Sequence, residues 1–383
     1  MKIITGRKID LLRKLDEACK KVRTLDNEED KFEYYNYIGN LYAMIDSIKI
    51  DYDKVFGTQE EFDSFMARSK KKNREMEDNF LRYRTFHNIY LGDILDITND
   101  GLSNIELDKV DCDKARFSED DFYSVFYEFL KTLGLEKEFD RFIKERKLFS
   151  KKVTSDNDYG GCILIDPISC DMSVFAGDFQ YNLESMFTCS HEFGHVFDLK
   201  DLKGDNSACL LTNYFYKSLY NESISGLFEK LLADFLLKQN IMRDEVLEKQ
   251  AKSFLNNYDY VLAAYIFTLF EGEQIRDQAY AGMSVDDALS IIGEKFEDKN
   301  ILSIFLHMHG LKFPDDLGYS YGGIMSTFLK DSIDKEGFES KLFRDFMDIR
   351  TSEFTPHFIE KHDLSPKQYK KLYNQEIKRI QTN

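Results

Sequence analysis

Ser190-His191-Glu192-Phe193-Gly194-His195-Val196 lies within a run from Asn182 to Leu202 whose apolar spacing predicts a single helix. Residues four apart share a helical face, so His191 and His195 can turn both imidazoles toward one metal ion. Glu192 follows the first histidine and can lean over an open coordination position. A zinc hydrolase needs this arrangement: two neutral nitrogens holding a Lewis acid, and a carboxylate to take the proton from metal-bound water. The same five-letter pattern also arises by chance on ordinary helices. Here Met186, Phe187, Cys189, Phe193, Val196 and Phe197 predict a largely buried helix. Histidines and a glutamate on such a helix need partners, and a metal supplies one.

With 383 residues the chain can bury a sizeable core, as one large domain or as two lobes. The formal net charge of −17 argues against nucleic acid or an anionic membrane surface as a partner. Solubility is the simplest use of that charge. The cysteines are Cys19, Cys112, Cys162, Cys170, Cys189 and Cys209, with no CxxC pair among them. That pattern fits a reducing compartment. The stretch from Met1 to Asp16 mixes charges into its apolar residues and has no signal-peptide core. No apolar run approaches the ~18 residues of a membrane span. The expectation is a soluble cytoplasmic protein.

Most of the chain reads as helix. From Ile9 to about Ser150, apolar residues recur at three- and four-residue spacing, as in Phe122, Val125, Phe126, Phe129, Leu130 and Leu133. Turn signals fall at Gly57-Thr58, Asn99-Asp100-Gly101 and Gly134. Asn73 to Leu95 reads as a long helix, with His87 in it as a packed or surface histidine and no ligand. The character changes near Asp156. Gly160 to Asp166 and Met172 to Phe179 are short and β-prone, with Pro167 and Ser169 between them. They predict a small sheet beside the zinc helix, either a hairpin covering the core or an edge for an extended peptide. Helices then resume, with Thr355-Pro356 and Ser365-Pro366 as starts of the last two. The expected organisation is a helical N-terminal lobe, 1–150, and a catalytic region, 151–383.

The third metal ligand has two candidates. Asp198 and Asp201 follow His195 on the same segment, but a third ligand at 201 needs a sharp turn, normally with Gly where Asp198 stands. A left-handed backbone is less favourable for Asp, and 196–202 reads as helix. Glu222 is the better candidate. The interval after His195 leaves room for the zinc helix to end near Gly204 and for a second helix to return, with Asn221 as a plausible N-cap. Glu229 lies two helical turns beyond Glu222, on the same face, where it could orient a ligand histidine through its free N–H. Leu227, Phe228, Leu231 and Leu232 argue against a merely solvated face.

The region resembles the oligoendopeptidase F and thimet oligopeptidase family of zinc metallopeptidases, which are HExxH gluzincins. The resemblance rests on His191-Glu192-Phe193-Gly194-His195 followed by Glu222-Ser-Ile-Ser225-Gly-Leu-Phe-Glu229, and on Phe175-Ala-Gly177-Asp-Phe179 before the zinc helix. It implies a mostly α, two-lobed molecule with a channel between the lobes, and cleavage of short peptides. It also implies a C-terminal loop whose histidine and tyrosines hydrogen-bond the substrate and the oxyanion. The matching stretch is His307-Met308-His309-Gly310, then Gly318-Tyr319-Ser320-Tyr321-Gly322-Gly323. A phenol is a sensible oxyanion donor, being neutral at pH 7 and easily held by packing. The glycines would let the loop move onto substrate. Two departures stand out: Asp198 occupies a position where the family usually shows a further histidine, and members are commonly much longer. The resemblance covers roughly Asp156 to Lys330.

The sequence therefore reads as a short zinc endopeptidase of the oligoendopeptidase type. Zn²⁺ would be held by His191, His195 and Glu222. Glu192 would activate the water and protonate the leaving amine, while Tyr321, His309 and Tyr319 serve the oxyanion. A gluzincin carboxypeptidase with the same ligands stays open, and so does a peptide-binding protein without turnover. No sequence feature addresses oligomeric state.

Overall fold

Helices dominate the computed structural model. It describes residues 2–3, scattered positions between 11 and 67, and residues 78–102, 116–144, 148–151, 161–165, 172–177, 181–199, 221–270, 285–296, 299–308, 315–348 and 356–381. Strand β1 is Lys2–Ile3. Helices α1, α2 and α3 span Arg84–Leu102, Glu119–Thr132 and Glu136–Lys144. Strands β2, β3 and β4 are Leu148–Lys151, Gly161–Ile165 and Met172–Gly177. Then come α4 (Leu183–Leu199), α5 (Asn221–Lys238), α6 (Arg243–Phe267), α7 (Val285–Ile292) and α8 (Lys299–Met308). The chain continues through α9 (Asp315–Glu336), α10 (Lys341–Asp348), α11 (Pro356–Lys361) and α12 (Pro366–Gln381). No helix among the described residues is long and apolar enough to cross a membrane.

The chain forms two compact units, each made of separate segments of the sequence. One unit contains Met1–Met66, Asp111–Leu211 and Leu232–Glu245; the other contains Ala67–Val110, Thr212–Leu231 and Val246–Asn383. The reason is long-range pairing. In the second unit, the Tyr90 hydroxyl on α1 donates to the Leu364 carbonyl at 3.0 Å, and the Tyr373 hydroxyl on α12 donates to the Thr98 carbonyl at 3.5 Å. These bonds attach a helix of the expected N-terminal lobe to the C-terminal one.

Helix α1 also runs through Asn99-Asp100-Gly101, which reads as a turn in the sequence. Gly101 is there for space. A Cβ at this position would sit 2.2 Å from Tyr373 Cε1 and 2.7 Å from Ile377 Cδ1, so only glycine lets α12 approach. Gly134, by contrast, does end a helix. Its φ is +69°, and the Gly134 and Leu135 N–H groups donate back to the carbonyls of Lys131 and Leu130, closing α2 with the 6→1 and 5→2 bonds of a Schellman motif. At the other end of α2, Ser118 Oγ accepts from the Asp121 N–H at 3.1 Å.

In the first unit the sheet has strand order β1-β3-β4-β2. β3 and β4 are antiparallel, with Ile163 opposite Val174, while β1 runs parallel to β3 and β2 parallel to β4. β3 and β4 pack against α4. Val174 is fully buried there. Behind α4 stands an aromatic cluster from α2 and α3, formed by Phe122, Phe126, Phe139 and Phe142.

Candidate metal centre

Asn182 sets where α4 begins. Its Oδ1 accepts from the Ser185 N–H at 2.9 Å and from Ser185 Oγ at 2.7 Å, satisfying donors that the first turn would leave open. The residue before it, Tyr181, has φ of 53°, and its carbonyl accepts from the Phe117 N–H at 2.8 Å. The chain thus turns sharply into the helix.

The rotation of α4 about its axis is set by Phe193. Its buried ring lies 5.5, 6.0 and 5.2 Å from the rings of Phe126, Phe139 and Phe142. Burying such a ring stabilises the fold by roughly 1.5–3 kcal/mol. With Phe193 anchored, the face half a turn away carries His191 and His195, whose ring centroids are 5.0 Å apart. Glu192 is 4% exposed and His195 5%. The Glu192 carboxylate acts on Cys189, one turn earlier: burial, and secondarily that negative charge, pushes the Cys189 thiol well above its ordinary value. Asp198 is buried on the same helix, and Asp201 lies outside the described residues.

Helix α5 carries Glu222 in its first turn. The ligand atoms of His191, His195 and Glu222 all lie within 4.8 Å of one another. Two neutral imidazoles and one carboxylate form the donor set of catalytic zinc sites, in which three protein ligands leave a fourth position open. The set carries one negative charge, so a bound dication keeps net positive charge with which to polarise a substrate. The residues present therefore fit a zinc ion. Glu229, two turns along α5, is half-buried.

Ser225 and Gly322 stand in the motifs quoted above, but their contacts with Glu222 have no part in the sequence reading of the site. Ser225 is fully buried, and its hydroxyl lies 3.0 Å from both Glu222 Oε2 and the Glu222 carbonyl oxygen. Spacing i, i+3 on a helix is the signal that could have found it. Gly322 of α9 meets Glu222 so closely that a Cβ would sit 2.6 Å from Glu222 Cβ.

The Gly318–Gly323 stretch is not a loop: it lies inside α9. The expected mobile segment is corrected accordingly. On a helix, residues two apart point about 200° away from each other. Tyr321 is 1% exposed, and its hydroxyl lies 2.7 Å from His87 Nδ1. Tyr319 is 38% exposed and stacks on Tyr260 with centroids 4.7 Å apart. The glycines serve close approach, since a Cβ on Gly323 would also sit 2.2 Å from Asn257 Oδ1. His309 lies outside the described residues, as does the side chain of His307.

No model of a protein family and no curated protein matches the sequence. Among solved structures, the chain is similar to one from Bacillus anthracis str. Ames assigned as an oligoendopeptidase F, with 14% identity and a TM-score of 0.48. The alignment covers 93% of this chain and 63% of that one, so this chain spans less than two thirds of the length of the structure it matches.

Proposed function

We propose that the protein is a zinc-dependent endopeptidase that hydrolyses short peptides. The observation that carries this reading is the convergence of the His191, His195 and Glu222 ligand atoms within 4.8 Å of one another. Glu192, next in sequence to the first ligand and 4% exposed, supplies the accompanying carboxylate. Bound to these residues, zinc supplies Lewis acidity toward a peptide carbonyl and toward water. Glu192 accepts the proton of the attacking water on a carboxylate oxygen and later delivers it to the leaving amine nitrogen. Its burial keeps competing bulk water from the carboxylate and strengthens its interactions with charge developing nearby. Asp198 and Glu229 lie on the helices that carry the ligands. Tyr321 is read as a structural residue, because its hydroxyl is engaged by His87 in the core.

The test is a mixed peptide library incubated with protein, with and without a chelator, and the products read by mass spectrometry. Internal cleavages that disappear with chelator and return with zinc are expected. Removal of C-terminal residues alone points to the carboxypeptidase reading. Tight binding without products points to a peptide-binding protein.

A further inference from the structure

We propose that Ser225 and Gly322 are positioning residues that hold Glu222 in place as a metal ligand, so that α9 tunes zinc affinity while its Gly322 supplies no ligand atom. The proposal rests on the zinc-site reading above.

Glu222 sits in the first turn of α5, where a long carboxylate side chain is otherwise free to sample several rotamers. Ser225 restricts it. The serine is fully buried, and its hydroxyl can donate to Glu222 Oε2, 3.0 Å away, and to the Glu222 carbonyl at the same distance. A hydrogen bond to one carboxylate oxygen selects a rotamer, and partners of metal ligands typically act in this way.

Gly322 acts on the backbone of the same residue. A Cβ at position 322 would lie 2.6 Å from Glu222 Cβ, 2.9 Å from its carbonyl carbon and 3.1 Å from its carbonyl oxygen. Two of these are backbone atoms, which cannot swing aside, so the first turn of α5 would have to move. The crossing stays tight one turn further on, where a Cβ at Gly226 would meet Ser326 at 3.3 Å. The height of Glu222 above α9 is therefore set by the missing side chain at 322, and its carboxylate direction by the hydroxyl at 225.

The experiment measures zinc affinity by competition with a chromophoric chelator for wild type, Ser225→Ala and Gly322→Ala. Melting temperatures of the metal-free proteins are measured in parallel. Ser225→Ala removes only the hydroxyl and is expected to bind zinc about 10–100-fold more weakly, with the metal-free melting temperature little changed. A residue that merely packs would move the melting temperature and leave zinc affinity alone. Gly322→Ala is expected to weaken zinc binding at least as much and to lower the melting temperature as well. Wild-type affinity in Ser225→Ala overturns the inference, even if Gly322→Ala does not fold. Wild-type protein that takes up no zinc instead removes the zinc-site reading, and the inference with it.

Discussion

His87 Nδ1 and the Tyr321 hydroxyl lie 2.7 Å apart, joining α1 to α9 across 234 residues of chain. The His87 ring is fully buried and stacks on Phe80 with centroids 4.8 Å apart, and Tyr90 stacks on Tyr321 at 6.3 Å. The pair is thus a polar contact inside an aromatic core. Such a contact costs more to break than it contributes when made, because the group left behind stays buried.

Tyr321→Phe keeps the ring and removes the hydroxyl. It should cost about 1–3 kcal/mol in urea denaturation, with kcat staying close to wild type. A fall in kcat on the order of 10²–10³-fold at unchanged stability would return Tyr321 to the oxyanion role.

Acid should destabilise the protein partly through His87. Burial holds this ring at a pKa of about 3, against an ordinary value of 6.5. The unfolded chain takes up a proton below pH 6.5 that the folded state refuses. The stability that depends on a neutral ring is therefore intact above pH 6.5 and is lost as pH falls from 6.5 toward 3, by up to about 1.4 kcal/mol per pH unit. His87→Gln removes this contribution. Urea midpoints of wild type and variant should run parallel above pH 6.5 and converge below it. Curves that stay parallel across the whole range would show that the ring titrates normally.

Purified protein should carry about one zinc per chain by elemental analysis. Glu222→Ala should lose most of it, since two histidines on one helix are a poor cage without the third ligand. Asp201→Ala should retain it. The reverse result would put the site on one helix segment, with Asp201 as ligand.

Glu192→Gln keeps size and polarity but cannot accept the proton. Zinc content and peptide binding should persist, while turnover falls by about 10²–10⁴-fold or more. Near-normal turnover in this variant would leave the carboxylate without its proposed role.

The α4 histidine pair is legible in the sequence because its geometry is local. Spacing of four on any helix brings two histidines to one face, and Phe193 between them already shows which face turns inward. Glu222 is legible for a related reason: a charged residue at the head of an apolar, periodic run stands out. Gly101 and Gly322 are not legible in the same way. Local propensity reads glycine as a turn or a hinge, yet at both positions a second helix comes so close that a Cβ would overlap it.

By itself the sequence determined the α4 histidine pair, its adjacent carboxylate and a mostly helical chain, because these follow from periodicities of three and four within single segments. Tertiary structure alone decided that Gly322 bears on Glu222, that His87 takes the Tyr321 hydroxyl, and that each compact unit is assembled from separate segments of the chain. Each of these depends on how far apart two helices come to rest or which rotamer a side chain takes. Close packing of whole surfaces sets those quantities, and no window of sequence contains both partners of a long-range contact.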